Sequence, residues 1–457
     1  MAKTQTSAWP RKRAIVQVLA LAAVTRAAAT APVFGRALTS DPLSYFQQAS
    51  EFAHGSAGKA FYWPPGTSMA FAPWVALLGD SHQTARIVAC AYGILLVLAV
   101  MWLAAAIVRD RSITLMAGYL AAFYPPAVFM AGDPQSQIVA AIAVCCMLSS
   151  LVSAVEFRRW WWWMLCGLSS GFLAVTRPAT LLLIPVPFVF IFFRARRHST
   201  NPGAPEHIRR RERFAAITVL ALGQLLFIVP VVAHNIDQGA GPTLATNDAV
   251  NLFLGNNRYT PLYWTSSLAS GHRDEPFNSY YDNVRSQGDA GLRSAALDYV
   301  KAHPAESALR SANRARAFWG FDYYRAADLR SSDWPTAGVL LVLMLEAGGF
   351  LVAGFFVIGG TVGPFAIVRS WRVWLLYATV LLLWIPYLIS FSVGIYHFPV
   401  MMLLLPVAAA AMHRVASFGV KTSLRAAFRS RALIIALLCF AAIQVEYAYW
   451  LVKFGGA

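Results

Sequence analysis

Apolar residues occur in long unbroken runs along this 457-residue chain, and polar residues gather between them. Each run is roughly 18 to 25 residues long, enough for a helix to cross about 30 Å of hydrocarbon. Eleven spans are expected, near residues 14–34, 85–108, 113–131, 134–155, 160–176, 178–193, 214–233, 337–368, 373–393, 395–413 and 432–452. The 337–368 run holds Gly348-Gly349 and Gly359-Gly360, so a kink or tilt is expected there. The pattern predicts an all-α integral membrane protein of about 11 helices.

Two polar stretches interrupt the spans. In the first, residues 35–84, Leu43, Phe46, Ala49, Phe52 and Ala53 recur at helical spacing. They predict a helix over 43–54 lying in the membrane interface. The second, residues 234–336, is roughly a hundred residues long, with helical periodicity over 291–318 and a break near His303-Pro304. The chain therefore divides into an N-terminal transmembrane module at 1–233, a large extracytoplasmic loop at 234–336, and closing helices at 337–457.

Composition agrees with the pattern. The chain is 58% hydrophobic and 13% charged, against about 25% charged in soluble domains. The net charge of +17 could suggest nucleic acid, but its placement excludes that reading. Of 38 Lys and Arg, 22 lie in alternate loops: Lys3 to Arg13, Arg109 and Arg111, Arg158 and Arg159, Arg194 to Arg213, Arg369 and Arg372, and Arg414 to Arg431. Loop 234–336 is nearly neutral, with ten basic and eleven acidic residues. By the positive-inside rule, the N-terminus and the basic loops face the cytoplasm. Loops 35–84 and 234–336 then face outward. Arg26 interrupts the first run, which is read as a retained helix rather than a cleaved signal. The five cysteines fall within spans, away from the loops where disulfides form, and read as small core residues. Short inner loops, free thiols and the lack of a glycosylation sequon fit a bacterial inner membrane.

No Walker loop, Gly-rich dinucleotide loop, His-Glu-x-x-His or Asp-x-Asp is present. Chemistry is therefore expected at the outer face, where Asp41 and Asp133 should lie at one membrane depth. Paired carboxylates there could deprotonate a hydroxyl or hold a divalent cation. Each also precedes a proline, so each could instead cap a helix. Phe61-Tyr62-Trp63-Pro64-Pro65-Gly66 forms an aromatic stretch with a rigid turn beside Asp41. Lys59 and Arg86 could meet a lipid phosphate. Arg177, between two apolar runs, should be paired, with a phosphate or a carboxylate as partner. His397 could donate to a phosphate or be structural. Glu346 and Glu446 are the acids expected within the membrane, and either could pair with Arg26 or Arg177. Trp160 to Trp163 read as an aromatic anchor at the cytoplasmic boundary.

In order along residues 14–260, Asp41-x-x-x-Tyr45, Tyr62-x-Pro64-Pro65-Gly66, Ala85-Arg86, Tyr124-Pro125-Pro126 before Asp133, Thr176-Arg177-Pro178 and His234-Asn235 resemble the polytopic GT-C glycosyltransferases. The likeness is to the protein O-mannosyltransferase and aminoarabinose-transferase branch. That resemblance implies transfer of a sugar from a polyprenyl-phosphate carrier to a lipid, glycan or protein acceptor at the outer face. It places the catalytic base at Asp41 and a second acid at Asp133. Lys59, Arg86, Arg177 and His397 would attend the donor phosphate, and Tyr45, Tyr62, Asn251, Asn256 and Tyr259 the substrates. Family members often carry two adjacent acids in the first loop and an Arg-Tyr before the late proline. This chain has Asp41-Pro42 and Tyr396-His397 there. The rival readings are a transporter or lipid flippase, and a non-catalytic partner in glycan assembly.

Overall fold

A computed structural model describes residues 8–195, 206–269, 271, 273–332 and 334–454. Lys3, Arg196 and Arg197 of the expected basic loops lie outside the described residues. Among the described residues every regular element is helical. Eight helices among the described residues are long and apolar enough to cross a membrane: Lys12–Val33, His82–Ile107, Ser136–Phe157, Arg210–Asp237, Thr336–Thr361, Trp371–Leu388, Gly394–Phe418 and Arg431–Lys453. The other three runs read as spans are shorter or broken helices. They are Arg111–Phe123 followed by Pro125–Met130, the 17-residue Trp160–Thr176, and the apolar stretch Pro178–Phe192. The protein is a multi-pass membrane protein.

Ser136–Phe157 and Gly394–Phe418 are the most enclosed spans. Their buried faces are rich in Ala, Ser, Val, Leu and Met. Small residues let backbones approach closely where lipid supplies no hydrophobic drive. At Gly223 a methyl group would stand 2.8 Å from the Leu168 nitrogen, and so helices Glu206–Asp237 and Trp160–Thr176 touch backbone to backbone.

Arg26 is wholly buried in the first helix, and its partners correct the expectation of a carboxylate. Pro125 and Pro126 lack the N–H groups that would close the helical bonds to Ala121 and Ala122. The freed carbonyls accept instead from Arg26, at 2.9 Å each. Arg26 thus seals a helix break that the sequence itself creates. The two membrane acids also find other partners. Glu346 accepts the backbone N–H groups of Arg325 (2.9 Å) and Ala326 (3.0 Å), and Glu446 pairs with Arg316 at 2.8 Å. Of the cysteines, Cys439 is exposed on its helix rather than packed in the core.

The molecule has two distinct ends. At the basic end Glu156 bridges Arg109, at 3.3 Å, and Arg372. At the other end, here called the site end, lie the interface helix Ser40–Ala53 and the region 234–336. That region folds into helices Asn247–Gly255, Phe277–Arg285, Gly288–Ala302, Pro304–Phe318 and Tyr324–Arg330. Phe253, Leu254, Phe277, Tyr281 and Leu292 form a core of its own. Arg314 fastens it to the membrane helices by donating to the carbonyls of Leu388 (3.1 Å) and Ile389 (2.9 Å).

Candidate active site at the site end

The helix Ser40–Ala53 forms because Pro42, Tyr45, Phe46 and Ala49 share one buried face. That face packs on helix Gly66–Leu78, where Ser68 donates to the Tyr45 carbonyl (2.9 Å) and to Gln48 (2.6 Å). Asp41 lies in the first turn, preceded by Ser40 in the left-handed region at φ 53°. A non-glycine residue there costs of order 1 kcal/mol and is held by its surroundings. The Asp41 carboxylate makes no hydrogen bond to the described residues, and Thr39 occupies the cap position. The capping reading of Asp41 is therefore set aside. For Asp133 it falls too, because the nearest helix begins at Ser136 with Gln135 at its cap.

The Pro64-Pro65-Gly66 turn has a packing reason. A methyl group on Gly66 would sit 2.3 Å from the Thr176 hydroxyl and 2.7 Å from its backbone. Only glycine lets this turn press against the end of helix Trp160–Thr176, where the chain releases Arg177. The turn and the arginine, 111 positions apart, meet here.

Arg177 is the centre of a polar cluster. It donates to the Tyr387 hydroxyl at 2.8 Å and to Ser136 at 3.3 Å. Its guanidinium lies 5.8 Å from the Tyr387 ring centre and 5.3 Å from that of Tyr396. Asp41 feels its charge: burial raises the Asp41 pKa above the usual carboxylate range, and Arg177 pulls it back. Asp41 nonetheless keeps an exposed surface. Tyr45 closes the group. Its phenol interacts with Ser136, and burial, followed by the charge on Asp41, pushes its pKa up to about 12. Tyr62 is 41% exposed and stands between this cluster and the region 234–336. Burial raises its pKa, with Tyr281, Arg285, Arg273 and Asp41 as its electrostatic neighbours.

Asp133 belongs to a second, more deeply buried cluster. One oxygen pairs with Arg86 and the other with Arg325 at 2.6 Å. Tyr324 adds a hydroxyl at 3.3 Å, itself held by Gln135 at 2.6 Å. Arg86 and Asp133 also line a cavity of about 270 Å³ with Arg36, Thr39, Asp328 and Ser332. Both Asp133 oxygens are thus engaged by guanidinium groups. Among the described residues no three His, Cys, Asp or Glu side chains come together. A carboxylate already neutralised by two arginines, and another facing Arg177, do not fit a divalent cation, which wants several anionic or carbonyl oxygens.

The remaining sequence candidates divide. His397 is fully buried, with Nδ1 bonded to the Phe318 carbonyl (2.7 Å) and Nε2 to Asp322 (3.1 Å). It has no face left for a phosphate, and its neighbour Tyr396 is the residue beside Arg177. Arg86 is spent on Asp133 and the carbonyls of Gly132 (3.0 Å) and Arg36 (3.3 Å). Asn256 is 1% exposed and fully used by Leu252, Ile389 and Arg314, which corrects its reading as a substrate contact. Asn251 is half-buried, and Tyr259 packs edge-on to Phe277 and tilted to Tyr280, with Arg258 above it at 4.8 Å. Lys59 is exposed, and its carbonyl receives the His234 ring N–H at 2.9 Å. Trp160 and Trp161 are exposed at the start of their helix, beside Arg158 and Arg159. Sequence reasoning missed Ser136, Tyr387 and Tyr396 as partners of Arg177, and Arg325 as the partner of Asp133. The one available signal was Tyr396, in the turn that also holds His397.

Residues 63–205 match a family model described as dolichyl-phosphate-mannose-protein mannosyltransferase. The matched stretch contains Gly66, Asp133, Ser136 and Arg177 but begins after Asp41. No curated protein sequence matches the chain. Among solved structures, the Archaeoglobus fulgidus oligosaccharyltransferase in its apo form superposes with a TM-score of 0.50 and 15% identity. The superposition covers 96% of this chain, which spans 56% of that enzyme's length. ArnT from Cupriavidus metallidurans, in a structure with undecaprenyl phosphate bound, gives a TM-score of 0.48 and 15% identity, over 96% of this chain and 72% of that one. The chain thus shares its fold with the Archaeoglobus fulgidus enzyme.

Proposed function

We propose that this protein transfers a sugar from a polyprenyl-phosphate carrier to an acceptor hydroxyl at the outer face of a membrane, with Asp41 as the base. The observation that carries this reading is an exposed Asp41 carboxylate, free of hydrogen bonds to the described residues, lying within the electrostatic reach of Arg177. The fold match and the family match to residues 63–205 support the same class.

The chemistry follows from the two charges. The acceptor oxygen attacks the anomeric carbon and forms the new glycosidic bond. The bond from that carbon to the phosphate oxygen breaks, and its electron pair leaves with the polyprenyl phosphate. Asp41 takes the acceptor proton. A carboxylate with a raised pKa is a stronger base, provided it stays ionised at working pH. Arg177, held by Tyr387 and Ser136, faces the charge that grows on the leaving phosphate in a site partly shielded from water. Attack opposite the leaving group inverts the anomeric centre.

The test uses purified full-length protein and a radiolabelled polyprenyl-phosphate sugar, with Asp41→Asn beside the parent. Loss of transfer with unchanged thermal stability supports the reading. Equal turnover in both proteins removes Asp41 as the base. Absence of donor turnover in the parent, together with carrier movement across vesicles, would favour a flippase.

A further inference from the structure

Helix Val420–Arg429 joins two spans at the basic end and presents two parallel stripes to its surroundings. Val420, Leu424 and Phe428, four residues apart, are exposed at 66%, 51% and 75%. Lys421, Arg425 and Arg429 form an exposed stripe one position on. The opposite edge, Ser423 and Ala427, docks on the protein near Val415, Phe365 and Leu433. No Asp or Glu occurs between Glu346 and Glu446. Among the described residues, none of the three basic side chains has an ion-pair partner.

The spans on either side, Gly394–Phe418 and Arg431–Lys453, fix this helix at the membrane boundary. An apolar stripe beside a basic stripe is the arrangement that lies in the plane of a bilayer, side chains in the acyl region and cations among headgroups. From this charge complementarity and placement we infer that helix Val420–Arg429 is a binding site for anionic phospholipid headgroups. Phe428 and Leu424 anchor it in the leaflet, and Lys421, Arg425 and Arg429 select the negative lipid. The inference is independent of the sugar-transfer reading.

The experiment takes full-length protein from mixed micelles holding phosphatidylglycerol and phosphatidylcholine in equal amounts, and counts the lipids retained by native mass spectrometry. The parent retains phosphatidylglycerol preferentially. Lys421→Gln, Arg425→Gln and Arg429→Gln together weaken that preference, by about fivefold per charge removed. In nanodiscs, phosphatidylglycerol slows tryptic cleavage within 419–431 of the parent, and high salt abolishes the protection. That salt series needs no variant. Equal retention of the two lipids by the parent, cleavage indifferent to lipid charge, or a triple variant that keeps the full preference would overturn the inference. Capture of a protein partner at this helix without lipid preference would do the same.

Discussion

Arg325 holds its guanidinium 2.6 Å from the carboxylate of Asp133, 192 residues earlier in the chain. Its other arm meets Asp328 at 2.7 Å, and Glu346 receives the first N–H groups of its helix. Helix Tyr324–Arg330 is thereby fastened to the loop before Ser136–Phe157 and to helix Thr336–Thr361. Removing one member of a buried pair leaves the other charge uncompensated, at about 3–5 kcal/mol. Asp133→Asn should lower the thermal unfolding temperature of the purified protein clearly. An unchanged unfolding temperature with lost transfer would instead make Asp133 a participant in chemistry.

Asp41→Asn should lower kcat about 10²- to 10⁴-fold, the usual contribution of a general base. The pH profile should carry the sign of a base. Burial raises the Asp41 pKa, so activity falls as pH drops through that raised value, above the range of a free aspartate. Arg177→Ala removes the charge that pulls the pKa down, so the acid limb should move to higher pH. A limb that stays in place would dissociate the two residues.

Arg26→Leu should destabilise the protein by about 1–3 kcal/mol for the Ala121 carbonyl it leaves bare, since Ala122 keeps the Thr25 hydroxyl at 3.0 Å. The double change Pro125→Ala and Pro126→Ala restores the two N–H donors. In that background Arg26→Leu should cost much less. Chemical unfolding of the four proteins measures the coupling, and additive effects would show that the carbonyls of Ala121 and Ala122 are not what Arg26 satisfies.

His397→Asn should reduce stability while leaving the KM for the lipid donor near that of the parent. The ring's bonds run to Phe318 and Asp322, not toward Arg177. A large rise in KM with normal unfolding would return His397 to the phosphate.

Gly66→Ala should impair transfer by prising the Pro64-Pro65 turn from Thr176, at a stability cost of about 1–3 kcal/mol for overpacking. Thr176→Ala removes the nearest obstructing atom but not the backbone at 2.7 Å, so its rescue should be partial.

The spans, the interface helix and the basic end were legible because lipid imposes a long apolar period and charge has few places to go. Asp41 and Arg177 stood out for the same reason, as rare charges at a boundary. The partners of the charges were not. Arg26 was expected to seek an acid, yet the proline pair at 125 and 126 frees carbonyls that leave no mark in a composition. Asp133 and Asp41 looked alike in sequence, each before a proline. Folding sends one to two arginines and leaves the other open, a difference set by Arg86 and Arg325, which pack from distant helices. His397 resembled a phosphate ligand because Asp322 gives no hint of its depth until the chain closes over it.

Arg314 binds main-chain carbonyls, and burial lowers its pKa only to about 9. A carbonyl has no proton to gain when the surroundings turn sour. This fastening therefore keeps its grip in neutral and acidic media alike, and a loss of acid tolerance should be traced to carboxylate pairs such as Asp133 with Arg325, not to the bolt itself.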